Sequence, residues 1–253
     1  MARELPSRAQ VVVVGGGGVG ASVAYHRTKR GWKDVVRLER KSLTSGTTWH
    51  AAGLVGQLRA SESGTRLVQY STALYAELEA ETGLSAGYKQ CGGVTVARTE
   101  DRMTQLRRTA ASAAAYDLDC ELLSPEEAFE RYPVMGVDDL VGAIWLPADG
   151  KANPTDLTMA LAKGARLRGA RVVEHVRVLD VLTADGRVTS VRSDAGDIEA
   201  EIVVNCAGQW AKAVGAMAGV NVPLYSAEHF YVVTETIAGV HPDLPILRDP
   251  DGY

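Results

Sequence analysis

Three glycines and one acid are the first residues whose spacing asks for chemistry. Gly15-x-Gly17-x-x-Gly20 directly follows the run Val11-Val12-Val13-Val14, and Glu39 closes the next apolar stretch. Four valines bounded by glycine read as a strand buried on both faces. Residues 21–30 read as a helix stopped by Gly31, and 34–39 as a second strand, so the segment is one βαβ unit of a parallel sheet. In that setting each glycine has a task. Gly15 allows a tight turn, Gly17 lets backbone approach a diphosphate, and Gly20 lets the helix pack on the strand. The helix N-terminus offers unpaired N–H groups and positive dipole charge to an anion. Glu39 can accept hydrogen bonds from ribose hydroxyls. The pattern predicts an adenine dinucleotide at 15–20. It does not choose between FAD and NAD, and a glycine turn with a packing role alone is the other reading.

Two histidines come next. Thr44-Ser45-Gly46-Thr47-Thr48-Trp49-His50-Ala51-Ala52-Gly53-Leu54 is a hydroxyl-rich loop that can approach a phosphate or a planar ring. On local chemistry alone, His50 reads as a helix-start histidine with a satisfied hydrogen bond. Residues 224–235 read as a long strand, on which His229, Tyr231 and Val233 share one face. A histidine, with an unperturbed pKa of about 6.5, can accept or orient the proton of an amine. Spacing alone equally allows a core tyrosine and a rim histidine. His26, His175 and His241 have no motif around them.

The elements that must position these residues follow from the remaining pattern. Residues 65–81 have helical spacing at Leu67, Tyr70, Leu74 and Leu78. Residues 92–98 alternate as a strand, 100–116 as an amphipathic helix. Ser124-Pro125-Glu126-Glu127 is a helix start with Ser at N-cap and Glu at N3. Residues 140–146 read as a strand, 149–154 as a loop, 154–168 as a helix, and 171–174 as a strand. Residues 176–182 and 188–193 pair across Asp185-Gly186, a type I′ hairpin signal. Residues 201–205 read as a strand and 208–217 as a helix. No internal repeat is present.

Composition sets the outer limits. The chain has 253 residues, 46% hydrophobic and 23% charged, with a formal charge of −4, which excludes collagen-like and disordered classes and gives no pull toward nucleic acid or an anionic membrane. Three widely spaced cysteines, Cys91, Cys120 and Cys206, suggest neither a disulfide framework nor a metal site. The start lacks an apolar segment of signal-peptide length. A reduced, cytoplasmic setting is expected, and the excess of Arg over Lys is a trait of GC-rich bacterial genomes.

The loop at 47–54 resembles the flavin loop of one family branch, the sarcosine and dimethylglycine dehydrogenase/oxidase branch of the D-amino-acid-oxidase-like FAD-dependent oxidoreductases. Four further stretches resemble the same branch, in order: Cys91-Gly92-Gly93-Val94-Thr95-Val96-Ala97, Asp149-Gly150-x-x-Asn153-Pro154, Val203-Val204-Asn205-Cys206-Ala207-Gly208-Gln209-Trp210, and His229-Phe230-Tyr231-Val232-Val233-Thr234-Glu235. The resemblance implies an α/β fold. A Rossmann-like FAD-binding domain would occupy 1–88 and 149–222. An interleaved, largely antiparallel substrate domain would occupy 89–148 and 223–253 and be incomplete, because the branch's enzymes run longer.

Residue by residue, the resemblance implies FAD joined covalently through His50. Gly18 and Val19 would lie along the diphosphate, in the cofactor-binding turn of Gly15, Gly17 and Gly20, and Glu39 and Arg40 at the ribose. Thr47, Thr48, Ala51, Gly53 and Leu54 would lie at the flavin end, Val178 at the adenine, and Gly208 and Trp210 in a second glycine turn. His229 and Tyr231 would be catalytic. The implied reaction is oxidation of the N-methyl C–H of sarcosine, dimethylglycine or a similar N-methylated amino acid, with oxygen or an electron-transfer protein as acceptor. Cys206 departs from the branch's usual Asn-Ala-Ala-Gly or similar stretch, but it is small and apolar, so no change of function is expected. No carboxylate-clamping residue stands out among Lys89, Arg98 and Arg248. A D-amino acid or proline-type FAD dehydrogenase and a flavin-binding fragment without activity are the competing readings.

Overall fold

The computed structural model describes residues 5–252. In chain order the elements are β1 (Arg8–Val14), α1 (Gly18–Lys29), β2 (Val35–Leu38), β3 (Leu54–Val55), α2 (Glu62–Thr82), β4 (Lys89–Gln90), β5 (Gly93–Ala97), α3 (Glu100–Ala114), β6 (Glu121–Leu123), α4 (Pro125–Arg131), β7 (Gly142–Leu146), β8 (Gly150–Lys151), α5 (Pro154–Leu167), β9 (Arg171–Val173), β10 (Val178–Ala184), β11 (Arg187–Ser193), β12 (Gly196–Asn205), α6 (Ala211–Met217) and β13 (Ile246–Arg248). They group into two compact units. The first takes residues up to Ala52, Glu77–Ala86 and Asn153–His229; the second takes Gly53–Ala76, Gly87–Ala152 and the chain from Phe230 onward.

The first unit is built on a six-stranded sheet in the order β10-β11-β12-β1-β2-β9. β12, β1, β2 and β9 run parallel, and β10-β11-β12 form an antiparallel meander on one side. β12 serves both halves. Its first residues pair with β11, and from Glu199 on it pairs in parallel with β1. The valine run is buried on both faces, as its composition predicts. Val12, Val14, Val36 and Leu38 join Val178, Val181, Val191, Ile198 and Val214 in one core cluster. α1 and α5 pack together, and a side chain at Gly164 would collide with the Tyr25 ring, so glycine there sets their close approach. The Asp185-Gly186 hairpin forms with both residues at positive φ (49° and 72°), as a type I′ turn needs.

The second unit holds a four-stranded sheet, β13-β5-β7-β6, antiparallel except for the β13–β5 pair. Its interior forms two clusters. One joins Val94, Val96, Ala143 and Trp145 to Ala128 of α4; the other joins Ala97, Ile144 and Leu146 to Met103 and Leu106 of α3. α4 starts with the expected capping box, Ser124 accepting from the Glu127 N–H and Glu127 from the Ser124 N–H. A three-stranded patch, β3-β8-β4, completes this unit.

Three expectations need correction. Residues 150–151, expected as loop, form β8, because pairing with β3 and β4 supplies what a two-residue strand cannot signal in sequence. The face of α2 through Leu67 and Tyr70 is not its buried face: these are 65% and 50% exposed, while Thr65, Thr72, Leu74, Leu78 and Thr82 are buried. The strand expected over 224–235 does not form. That stretch has no regular secondary structure, and no described strand lies in register with it, so its alternation has no ladder to stabilise it.

Candidate functional site

The carboxyl ends of β1 and β2 open into a cleft of about 320 Å³, contributed entirely by the first unit. Gly15 has φ +126°, outside the range of side-chain-bearing residues, and its N–H donates to Leu38 O at 2.9 Å. A Cβ at Gly15 would collide with the Cys206 backbone, and one at Gly20 with Gly15 O, so neither position has room for a side chain. α1 then begins at Gly18 with no acid in its first turn and no side-chain cap on Gly17, which leaves its positive end facing the cleft.

Oxygen acceptors meet this loop at two points. Gly16 N–H donates to Glu39 Oε2 at 2.6 Å, and Gly18 N–H donates to Thr48 Oγ1 at 3.1 Å. The second Glu39 oxygen accepts from Lys41 N–H at 2.8 Å. On the other wall, the Arg40 guanidinium lies 3.9 Å from the centre of the Trp210 ring, a cation–π contact worth about 0.5–1 kcal/mol in an exposed setting. Val176, Val178, Val214 and Met217 add apolar lining.

These features fit a dinucleotide on the structure's own terms. The glycine cradle excludes side chains, its N–H groups take oxygen acceptors, a carboxylate stands at the end of β2, and the apolar lining suits a planar base.

The lining brings together Gly15, Gly17, Gly18, Val19, Glu39, Arg40, Thr47, Thr48, Val178, Gly208 and Trp210. Gly20 sits behind them as a packing residue. His50 ends a short 3-10 turn, Thr48–His50, its ring 3.7 Å from that of Trp49, and is exposed outside the cleft lining, as is Ala51. Gly53, Leu54 and Tyr231 belong to the second unit; His229 ends the first. His229 and Tyr231 are exposed on the stretch without regular structure, so the shared strand face expected for them is not formed. Of the three basic candidates on the substrate side, Lys89 pairs with Asp243, and Arg98 pairs with Asp139 and Asp249. Arg248 packs against Gly56 and lies near the buried carboxylate of Asp149. Among the described residues no group of three His, Cys, Asp or Glu side chains is placed to hold a metal ion.

The residue most plainly overlooked from sequence is Arg37. It is 0% exposed, on the face of β2 opposite Leu38. Its Nε donates to Gly15 O at 3.0 Å and a terminal nitrogen to Gly17 O at 3.1 Å, while the other terminal nitrogen, Nη1, has no partner among the described residues. Burial pulls its pKa down to about 10. The available signal was a charged residue interrupting Val35-Val36-Arg37-Leu38, an otherwise apolar buried strand. Cys206, in the cleft lining beside it, has its thiol pKa pushed up by burial, against the opposing pull of the Arg37 charge.

Fold and cleft define a nucleotide-binding α/β protein with its groove at the carboxyl ends of parallel strands. Residues 10–253 match the family described as FAD dependent oxidoreductase, and the chain belongs to that family. It is 45% identical over 255 residues to human mitochondrial sarcosine dehydrogenase, covering 98% of this chain and 28% of that protein. It is 39% identical over 251 residues to the mouse mitochondrial pyruvate dehydrogenase phosphatase regulatory subunit, covering 98% of this chain and 29% of that one. Among solved structures, L-proline dehydrogenase from P. horikoshii superposes with a TM-score of 0.80 at 31% identity, over 85% of this chain and 57% of that one. The chain thus spans under a third of the length of these two curated relatives.

Proposed function

We propose that the chain holds the FAD of an amine oxidoreductase that oxidises the N-methyl C–H of sarcosine, dimethylglycine or a similar N-methylated amino acid. The observation that carries the reading is the glycine cradle at 15–20, closed by Glu39 and walled by Val178 and Trp210, in a chain of this family. The loop N–H groups hold the diphosphate, Glu39 and Arg40 the ribose, and Val178 the adenine. Thr47, Thr48, Ala51, Gly53, Leu54, Gly208 and Trp210 serve the flavin end, and His50 is the residue that holds it covalently. The bound flavin supplies a two-electron acceptor for hydride at N5. His229 and Tyr231 orient the substrate, with His229 taking the ammonium proton so that the neutral amine reacts. Oxygen or an electron-transfer protein receives the electrons.

Similarity to a protein named as a regulatory subunit favours a second reading for this chain, flavin binding without turnover. One experiment separates them: an absorbance scan of the purified chain, anaerobically, before and after sarcosine or dimethylglycine. A flavin band that bleaches supports oxidation. A band that stays unbleached with every N-methyl amino acid supports the second reading, and a colourless protein overturns both. For covalency, the wild-type polypeptide is expected to stay fluorescent on a denaturing gel and His50→Ala to lose that fluorescence; flavin released wholly by acid from wild type would overturn the attachment.

A further inference from the structure

Arg37 is a cation placed where apolar residues belong, and it has no anion in contact. Its neighbours on β2, Val35, Val36 and Leu38, are all buried. Among the described residues it forms no ion pair; the nearby Glu39 spends its two oxygens on the N–H groups of Gly16 and Lys41. A buried charge with no anion in contact is costly, and a buried donor without a partner asks for an explanation.

The hydrogen bonds of Arg37 supply one. In a trans peptide the carbonyl of one residue and the N–H of the next point in opposite directions, and no described peptide bond is cis. Arg37 draws the carbonyls of Gly15 and Gly17 toward the sheet interior. The N–H groups of Gly16 and Gly18 must then face the other way, toward Glu39 and Thr48 of the cleft lining, and they bond to oxygens there. Arg37 therefore holds the alternation that makes the loop a concave row of donors, at Gly17 together with the Ala21 N–H of α1, which donates to the same carbonyl at 3.0 Å, and adds a full positive charge behind it.

Resting on the dinucleotide reading above, we propose that Arg37 is a positioning residue for the diphosphate. From inside the sheet it aims the Gly16 and Gly18 N–H groups at the cleft and supplies the positive charge that the diphosphate neutralises through the loop. Its place is to make the cleft select phosphorylated ligands over the bare nucleoside.

The test uses the full chain made in a riboflavin-starved auxotroph, with ADP and adenosine as probes in titration calorimetry. Removing the charge with Arg37→Met should weaken ADP by about tenfold, the scale of one charge acting across about 12 Å at an effective dielectric of about 20. Adenosine binding should change far less. Arg37→Lys should keep most of the ADP preference, and Arg37→Gln, a neutral donor, should lose it even where Arg37→Met fails to fold. Equal weakening of ADP and adenosine in the neutral variants, or no weakening of ADP, overturns the inference while leaving the dinucleotide reading in place. A wild-type chain that binds neither probe overturns the dinucleotide reading itself.

Discussion

At the scale of single residues, the glycines of one loop do different work, and substitution separates them. At Gly20 an added methyl meets backbone, Gly15 O, so Gly20→Ala must move α1 off β1; the expected cost is about 2 kcal/mol in urea unfolding, with loss of bound flavin. At Gly17 the same methyl meets only the Thr48 hydroxyl, at 2.7 Å, a side-chain atom whose shift costs one hydrogen bond, from the Gly18 N–H. Gly17→Ala should therefore unfold within about 1 kcal/mol of wild type while its flavin content falls; equal losses of stability in both variants would contradict this division. A third residue tests burial. Asp149 is buried, accepts the Gln57 N–H at 2.8 Å, and has its carboxyl pKa raised by burial. A carboxyl raised in the fold contributes stability that is complete below its ordinary value of 3.8 and is lost as pH rises through the folded pKa. Asp149→Asn keeps an acceptor for Gln57, so its urea-unfolding free energy should gain on wild type as pH rises from about 4 to 7; parallel profiles would refute it. The glycines and Glu39 were legible because their chemistry is local. Arg37 was not, because its meaning lies in two carbonyls more than a dozen residues away.

Elements were legible where their signals are capped and periodic. The Ser124–Glu127 box marks α4, and Asn153-Pro154 marks α5, whose N-cap Asn153 accepts from the N–H groups of Thr155 and Asp156 at 3.0 and 3.2 Å. Asn153→Ala should cost about 1 kcal/mol in chemical unfolding. Unchanged flavin content would go with it, since Asn153 touches α5 and not the cleft lining; a stability within error of wild type would show that water replaces the cap. α2 shows where apolar spacing misleads. Its buried side includes three threonines, and hydroxyls of Thr72 and Thr82 bond back to Gln69 O and Leu78 O, at 2.9 and 2.7 Å, which makes them acceptable in the interior. Counting only apolar residues therefore rotates the inferred face toward Leu67 and Tyr70. The strand expected at 224–235 failed for a different reason. Alternation records which residues suit a pleated surface, and a strand exists only when a neighbour takes its backbone hydrogen bonds.

For the whole molecule, interleaving was legible and its seams were not. The motifs in sequence order predicted a nucleotide half interrupted by a second part, but contacts place 53–76 with the second unit, where β3 pairs with β8, and 77–86 with the first. A pattern of helix periodicity cannot reveal that α2 changes units along its length. The division has a measurable consequence. Every residue lining the cleft lies in the first unit, so a ligand gripping the loop should stiffen that unit's backbone first. Without ligand, amide exchange should be slowest in β1, which is largely buried and paired on both sides by β12 and β2, and fastest across 223–236, which has no ladder. Adding ADP should slow exchange at 15–20, 39–41 and 206–210 and leave β5 and β7 of the second unit at their ligand-free rates. Slowing confined to β5 and β7 would place the nucleotide elsewhere than the cradle. Equal slowing in both units would mean that binding and folding are linked through the whole chain, and that the cleft cannot be treated as the property of one unit.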